Sequence, residues 1–129
     1  MNGRVWLKRG VTAIAAITVV SGLVQMIVPR LILETLSSDT TPASLHFFTI
    51  VGMFMVLFGG LLLHAGTRPE REQRVPLVWA ALQKFGASAA VGLGVAKAVF
   101  ASIALAVAAF DLMSGLVIIA LWRSQRPSV

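Results

Sequence analysis

The sequence predicts an all-α integral membrane protein: a four-helix bundle made of two antiparallel helical hairpins. Of its 129 residues, 57% are hydrophobic and only 12% are charged, whereas about a quarter are charged in ordinary soluble domains. The mean hydropathy is +0.88. A soluble domain of this size cannot bury so much apolar material, because small domains have a large surface for their volume. We therefore expect one transmembrane domain that covers residues 1–129.

Long segments without charge separate the charged residues of the first half. The segments 10–29 and 40–67 contain no Asp, Glu, Lys or Arg, and each is long enough for a spanning helix, which needs about 20 mainly apolar residues. Proline cannot continue the hydrogen-bond ladder of a helix, so Pro29 marks the end of the first span. Thr41 and Pro42 have the favoured order of an N-cap and a first helical residue, which places the start of the second span.

The segment 75–122 is too long for one span. A single helix of that length would extend about 72 Å, more than twice the roughly 30 Å of the bilayer hydrocarbon. The chain must therefore fold back, and we place the hinge at 92–97 because this stretch contains two glycines and Lys97. An alternative with three spans makes 76–97 an interfacial or re-entrant segment. The four predicted spans are 11–28, 42–65, 77–95 and 99–121.

The distribution of basic residues predicts the orientation of the chain. Eight cations flank the spans on one side, whereas the first and third loops hold only Arg30 and Lys97. Because positive residues concentrate on the cytoplasmic side, we expect a multi-pass protein of the bacterial inner (plasma) membrane with both termini in the cytoplasm. Trp6, Trp79 and Trp122 fall at the same interface, where they are predicted anchors. The eight cations are Arg4, Lys8, Arg9, Arg68, Arg71, Arg74, Arg123 and Arg126.

Lys84 and Asp111 are charged residues inside predicted spans, where a charge costs about 2.5–3.5 kcal/mol on insertion scales. They lie on either side of Lys97, at nearly equal distances from it along the chain. An antiparallel hairpin brings them to nearly the same depth, so we expect an intramembrane ion pair with a structural or transport role. In one alternative, Lys84 extends to the headgroups and Asp111 is protonated or bonded to a serine. In another, one of the two faces a partner protein.

Small residues near this pair favour close helix packing. Gly86, Ala90 and Gly94 repeat at a spacing of four residues on the third span, and Ala108 and Gly115 lie on the fourth. Small residues at such spacing let transmembrane backbones approach each other. We therefore expect these five residues to line the contact between the third and fourth spans.

No pattern in the sequence indicates a cofactor, a metal or a nucleic acid. His46 and His64 share a helix face but lie about 27 Å apart along the axis, too far apart to bind one metal ion. The nucleophile-elbow, P-loop and dinucleotide-binding motifs are absent. Since the charges form no evident patch or helical stripe, the net charge of +6 indicates membrane topology. The expected partners are membrane lipid and either another membrane protein or a second copy of the chain.

A few marks in both halves of the chain are similar to a known group of membrane proteins. They are Pro76, Leu77, Val78, Leu82, Lys84, Gly86 and Asp111, with Pro29, Gly52, Gly59 and Gly60 in the first half. Their pattern resembles that of small bacterial four-span proteins of the broad DoxX-like kind. The chain departs from that pattern at Gln83, before the lysine, and at Phe110, before the aspartate. The resemblance implies a four-helix bundle and supplies no reaction.

The predicted function is that of a small accessory or scaffold subunit of a membrane complex, or of a homo-oligomer, without enzymatic activity. The reasons are the short loops, the missing ligand motifs and the small-residue faces that suit helix packing. An alternative is a small dimeric transporter or channel that uses Lys84 and Asp111. A third is an intramembrane enzyme that acts on lipid or quinone.

Overall fold

The computed structural model describes residues 2–37 and 39–125, so the predicted cation Arg126 lies outside the described residues. The described chain is helical throughout apart from short connections. Its helices are α1 (Asn2–Ile27), α2 (Pro29–Leu36), α3 (Pro42–Gly66), α4 (Glu70–Ala96) and α5 (Ala104–Ser124). By length and composition, α1, α3, α4 and α5 are able to cross a membrane. The predicted fold class is therefore confirmed.

The four long helices form two antiparallel hairpins. α1 packs mainly against α3, and α4 packs mainly against α5, while α1 with α5 and α3 with α4 join the two hairpins. Val11 near the start of α1 and Leu121 near the end of α5 belong to the same core cluster. Both ends of the described chain thus lie at one end of the bundle. We call it the basic end, because it holds Arg4, Lys8, Arg9, Arg68, Arg71, Arg74 and Arg123, and we call the other the loop end.

Glycines bring the backbones of α1 and α3 into close contact. A Cβ atom on Gly22 would lie 2.6 Å from the carbonyl oxygen of Gly52, and one on Gly59 would lie 2.9 Å from the carbonyl oxygen of Ala15. Any larger residue at these positions forces the helices apart. Lipid tails are as apolar as the side chains, so such van der Waals contact is a main source of helix association in membranes.

The start of α3 agrees with the sequence prediction. The Thr41 Oγ1 atom accepts a hydrogen bond from the backbone N–H of Ser44, and the Ser44 Oγ atom accepts one from the backbone N–H of Thr41. Together they form a capping box, which satisfies two donors at the helix start that otherwise lack a partner. Pro42 follows at the first helical position, where its missing N–H has no cost.

Two helices extend beyond the predicted spans toward the basic end. α1 begins at Asn2 instead of 11, and α4 begins at Glu70 instead of 77. Because Arg4 and Lys8 of α1 both contact Glu70, the polar first turns of these helices have partners outside the apolar region. Pro76 lies inside α4, and α4 continues through it as one helix paired with α5. This geometry favours four spans over the alternative with three.

The hinge between α4 and α5 lies at 97–103 and not at 92–97, which corrects the predicted boundary. Gly92 and Gly94 are helical, and Ala98 has a left-handed backbone with φ of 56°. The ring of Phe100 fills the space next to Gly94, where a Cβ atom would overlap it. A left-handed residue after a helix is usually glycine, so an alanine in this role gave no signal in the sequence. The predicted start of the fourth span at 99 is likewise too early, since α5 begins at Ala104.

The first loop contains a helix that the sequence analysis did not predict. Pro29 ends α1 and also begins α2, whose Leu33 side chain is buried. At the end of α2, the carbonyl oxygen of Leu36 accepts a hydrogen bond from the backbone N–H of Ala101 at 2.8 Å. The Ser37 hydroxyl donates to the carbonyl oxygen of Val99 at 3.1 Å. The first loop and the hinge are therefore tied together at the loop end.

Candidate functional site

The structure brings together the two charged residues of the predicted spans. The Lys84 Nζ atom of α4 lies 2.8 Å from the Asp111 Oδ1 atom of α5. The side chains are 3% and 11% exposed, respectively. The ammonium group is thus inside the bundle and does not extend to the headgroups. Short charge-assisted hydrogen bonds of this kind are about twice as strong as neutral ones.

The depth of the pair follows from the sequence even though the hinge was misplaced. Lys84 lies further from the end of α4 than Asp111 lies from the start of α5. The hinge supplies the missing length, because its last residues already turn: the backbone N–H groups of Ala104, Leu105 and Ala106 donate to carbonyl oxygens three residues earlier. Lys84 and Asp111 therefore lie at the same level of the bundle, although their distances from the ends of α4 and α5 differ.

Aromatic and hydroxyl side chains complete the contact around the pair. The Lys84 Nζ atom lies 5.2 Å from the centroid of the Phe110 ring, a distance at which a ring face attracts a cation. About one turn further along α4, the Ser88 hydroxyl donates to the carbonyl oxygen of Ala108 at 2.8 Å. Ser114 of α5 is buried as well. The α4–α5 contact thus combines an ion pair with hydrogen bonds and small side chains.

The chemistry available to this arrangement is limited. An ammonium group and a carboxylate can hold two helices in register or exchange a proton. Within residues 2–37 and 39–125, no group of three or more His, Cys, Asp or Glu side chains is placed to hold a metal ion. His46 and His64 lie near opposite ends of α3 and are both exposed, so the structure does not bring them together. Lys84 and Asp111 are therefore the residues at the centre of the candidate site.

The predicted packing residues divide into two groups. Ala108 is buried and accepts the Ser88 hydrogen bond, and a Cβ atom on Gly115 would lie 2.6 Å from the Phe85 ring. These two residues line the α4–α5 contact as expected. Gly94 instead packs against Phe100 of the hinge.

Gly86 and Ala90 require a correction, because both are exposed on the outer side of α4. No atom lies within 4 Å of the Cβ position of Gly86. The physical reason is the phase of the helix: at 100° per residue, Gly86 lies about 200° around the axis from Lys84. Once Lys84 points to α5, Gly86 must point away from it.

The three predicted tryptophan anchors lie toward the basic end. Trp6 and Trp79 are 67% and 61% exposed, while Trp122 is half-buried. The Arg9 guanidinium lies 5.4 Å from the centroid of the Trp6 ring, and that of Arg74 lies 4.7 Å from the Trp122 ring. Each of these pairs places a cation beside an aromatic ring, a favourable arrangement.

Sequence reasoning missed a polar network at the basic end. The Gln125 Nε2 atom donates to Gln73 Oε1 at 2.9 Å, and both glutamines are buried. The Arg74 Nη1 atom donates to the carbonyl oxygen of Gln125 at 2.7 Å. The last carbonyl groups of a helix lack partners within it, and Arg74 Nη1 also donates to one of them, the carbonyl oxygen of Trp122 in the last turn of α5, at 3.3 Å. The signal available in the sequence was the pair of uncharged glutamines just outside two spans.

Glu70 links α1 to the start of α4. Arg4 Nη2 and Lys8 Nζ lie 2.6 and 3.0 Å from its carboxylate oxygens. Glu70 precedes the apolar part of α4, and the hydrogen bond from Lys8 lowers the pKa of its carboxyl group below the ordinary value, against the opposing effect of burial and with help from the charge of Arg4. The carboxylate is therefore ionised at neutral pH.

Comparison with known proteins gives this chain no relative. No family model, curated protein or solved structure matches it. The resemblance to DoxX-like proteins therefore stays a prediction.

Proposed function

We propose that the protein is a non-enzymatic accessory or scaffold subunit of a bacterial inner-membrane complex, or a homo-oligomer. The observation that best supports this role is the mutual pairing of Lys84 and Asp111. A catalytic or transport group has to reach a substrate, yet the Lys84 side chain is only 3% exposed and bonds to its neighbour. The pair serves to hold α4 and α5 in register. Fixing the register of helices is a known use of buried polar groups.

The charge distribution supports an orientation with both termini in the cytoplasm. Seven described cations lie at the basic end with Glu70 and Glu72, whereas the loop end holds Arg30 and Lys97 with two acids. Basic residues are retained on the cytoplasmic side during insertion. We propose that the basic end faces the cytoplasm.

The outer side of α4 is the proposed contact with a partner helix. Gly86 and Ala90 are exposed there and present little side chain. Such a surface lets another transmembrane backbone approach closely. The partner is a second copy of this chain or a helix of another membrane protein.

A cross-linking experiment tests this contact. The chain contains no cysteine, so Ala90→Cys provides a single attachment point for a photoreactive maleimide in native membranes. We expect one adduct of defined mass, identified by mass spectrometry, and its loss when Gly86→Leu is added. Gly60→Cys is the matched control, because the Cβ position of Gly60 on α3 also has no neighbour within 4 Å.

The mass of the adduct distinguishes a homo-oligomer from an accessory subunit, and two other results would contradict both. An adduct of twice the chain mass identifies a homo-oligomer, and one with a different protein identifies an accessory subunit. Lipid adducts alone, or equal adducts at positions 60 and 90, would contradict the proposed contact.

A small transporter or channel is the second candidate, and one observation favours it. The Asp111 side chain is 11% exposed, and its described hydrogen bond uses Oδ1, which leaves Oδ2 open to a proton or a ligand. Purified protein in liposomes would then move protons or a small solute, and Asp111→Asn would abolish the flux. Liposomes without flux, with the wild-type protein folded, exclude this candidate.

A further inference from the structure

Six of the seven cations at the basic end form two groups with different surroundings, and the seventh, Arg74, donates to the carbonyl oxygens of Trp122 and Gln125. Arg4 and Lys8 contact Glu70, and Arg68 contacts Glu72 at 2.8 Å. Two carboxylates of the same end thus compensate most of the charge of these three cations.

Arg9, Arg71 and Arg123 form the second group, which we call the outer arginines. All three are exposed, and within the part of the chain that the structure describes no acidic side chain lies within ion-pair distance of them. They belong to α1, α4 and α5, respectively. The outer arginines thus distribute uncompensated positive charge over three of the four long helices.

Each outer arginine lies at the basic end of an exposed apolar stripe. On α4, Arg71 is followed on the same side by Val75 and Trp79, both exposed. The spacing of four residues places these side chains one above the other. The stripe on α1 follows Arg9 through Ile17 and Val20, and that on α5 precedes Arg123 through Met113 and Leu116.

We propose that the outer arginines bind the headgroups of anionic phospholipids, with the acyl chains along the three apolar stripes. A guanidinium group presents a planar fork of donors that matches a phosphate group. The exposed Trp6 and Trp79 rings suit the same interfacial region. A nucleic acid does not fit this surface, because the apolar stripes next to each arginine would then face water.

This inference does not depend on the accessory role. It requires only that the long helices cross a bilayer, so either proposal can fail while the other holds.

Tryptophan fluorescence provides the test, because Trp6 and Trp79 are exposed near the outer arginines. The purified chain is reconstituted in bilayers that contain both phosphatidylglycerol and phosphatidylcholine, one of which is brominated, and the bromine atoms quench tryptophan. We expect stronger quenching by the anionic lipid at low salt. Each contributing arginine should raise the association constant for phosphatidylglycerol, relative to that for phosphatidylcholine, about fivefold. The preference should fall as salt rises, because the Debye length decreases from about 10 Å at 0.1 M to about 3 Å at 1 M.

Two variants of the same chain decide the interpretation. In the triple variant Arg9→Gln/Arg71→Gln/Arg123→Gln, both brominated lipids should quench the tryptophan fluorescence equally. The control Arg30→Gln/Lys97→Gln is altered at the loop end and should keep the stronger quenching by the anionic lipid. Circular dichroism checks that both variants remain helical. Equal quenching of the wild-type protein by the two lipids would overturn the proposal, as would a preference that survives in the triple variant. Wild-type protein that lacks the preference but binds a polyglutamate peptide would assign the outer arginines to an acidic protein partner.

Discussion

The two hairpins of this bundle are held together by different forces. Between α1 and α3, glycine backbones touch, and Gly22 and Gly52 leave no room for a side chain. Between α4 and α5, Lys84 and Asp111 form a buried ion pair and Ser88 adds a hydrogen bond. The first hairpin depends mainly on close backbone contact, with one hydrogen bond from the Gln25 Nε2 atom to the carbonyl oxygen of Phe48 at 2.7 Å, and the second depends mainly on charge and hydrogen bonding.

This difference shows two solutions to the same problem. Helices in lipid gain little from hydrophobic burial against each other, so each hairpin needs another source of specificity. Close backbone contact supplies it through many weak van der Waals contacts. An ion pair supplies it through one strong contact, at the cost of placing two charges in the membrane. The following variants test the contrast, in order of expected effect.

The largest effect is expected when one partner of the ion pair is removed. Lys84→Met leaves the Asp111 carboxylate buried without a partner and should lower the free energy of unfolding by about 3–5 kcal/mol. The double variant Lys84→Met/Asp111→Leu should lose less than either single variant, because no charge is left unpaired. Unfolding in mixed detergent micelles measures these differences. The charge-reversed Lys84→Asp/Asp111→Lys should also accumulate better than its single variants, and equal accumulation would show that the pair does not stabilise the hairpin.

A smaller effect is expected at the glycine contact. Gly22→Ala places a methyl group against the backbone of α3, so the helices must separate, which should cost about 1–3 kcal/mol. Gly60→Ala is the control, because the Cβ position of Gly60 faces open space. The same unfolding measurement applies. Equal stability of the two variants would show that backbone contact does not hold this hairpin together.

A gain in stability is expected at the hinge of the second hairpin. Ala98 has a φ of 56°, a conformation that glycine adopts without strain, so Ala98→Gly should raise the free energy of unfolding by about 0.5–1 kcal/mol. The control Ala89→Gly, inside α4, should lower it by about 0.5–1 kcal/mol. Thermal unfolding followed by circular dichroism compares the two. A loss of stability in both variants would contradict the left-handed backbone at Ala98.

The smallest effect concerns Glu70, which joins the two hairpins. Because the pKa of this carboxyl is lowered in the folded chain, its contribution is present above the unfolded pKa and is lost as pH falls through the folded pKa. The side chain is 39% exposed, so water screens the contribution to about 0.2–1 kcal/mol. Glu70→Gln should therefore weaken the decline in stability measured below about pH 4. An identical decline in wild type and variant would assign that pH dependence to other carboxyl groups.

The sequence predicts the fold and the central pair because both depend on strong local signals. Charge-free segments locate four spans, and the similar distances of Lys84 and Asp111 from Lys97 locate the pair. The hinge was misplaced because the glycines suggested flexibility, whereas the turn uses Ala98. The side of α4 that Gly86 occupies could have been derived from Lys84, since an inward lysine fixes the phase of its helix.

Other features depend on contacts between distant segments, and no local signal indicates which residues meet. Gln73 and Gln125 are 52 residues apart, and nothing in either segment indicates that they meet. The close contact of Gly22 with Gly52 is of the same kind, because many glycines in membrane helices have no tight neighbour. Gly60 and Gly86 of this chain are two such cases.

The backbone hydrogen bond from Ala101 to Leu36 has a consequence for how the protein is made. Leu36 leaves the ribosome well before Ala101 does, by an interval of about 3–13 seconds at ordinary rates of synthesis. During that time the Leu36 carbonyl group has no Ala101 to bind. The tie between the first loop and the hinge therefore cannot form until the hinge of the second hairpin has been made, and a nascent chain stalled before Ala101 lacks it.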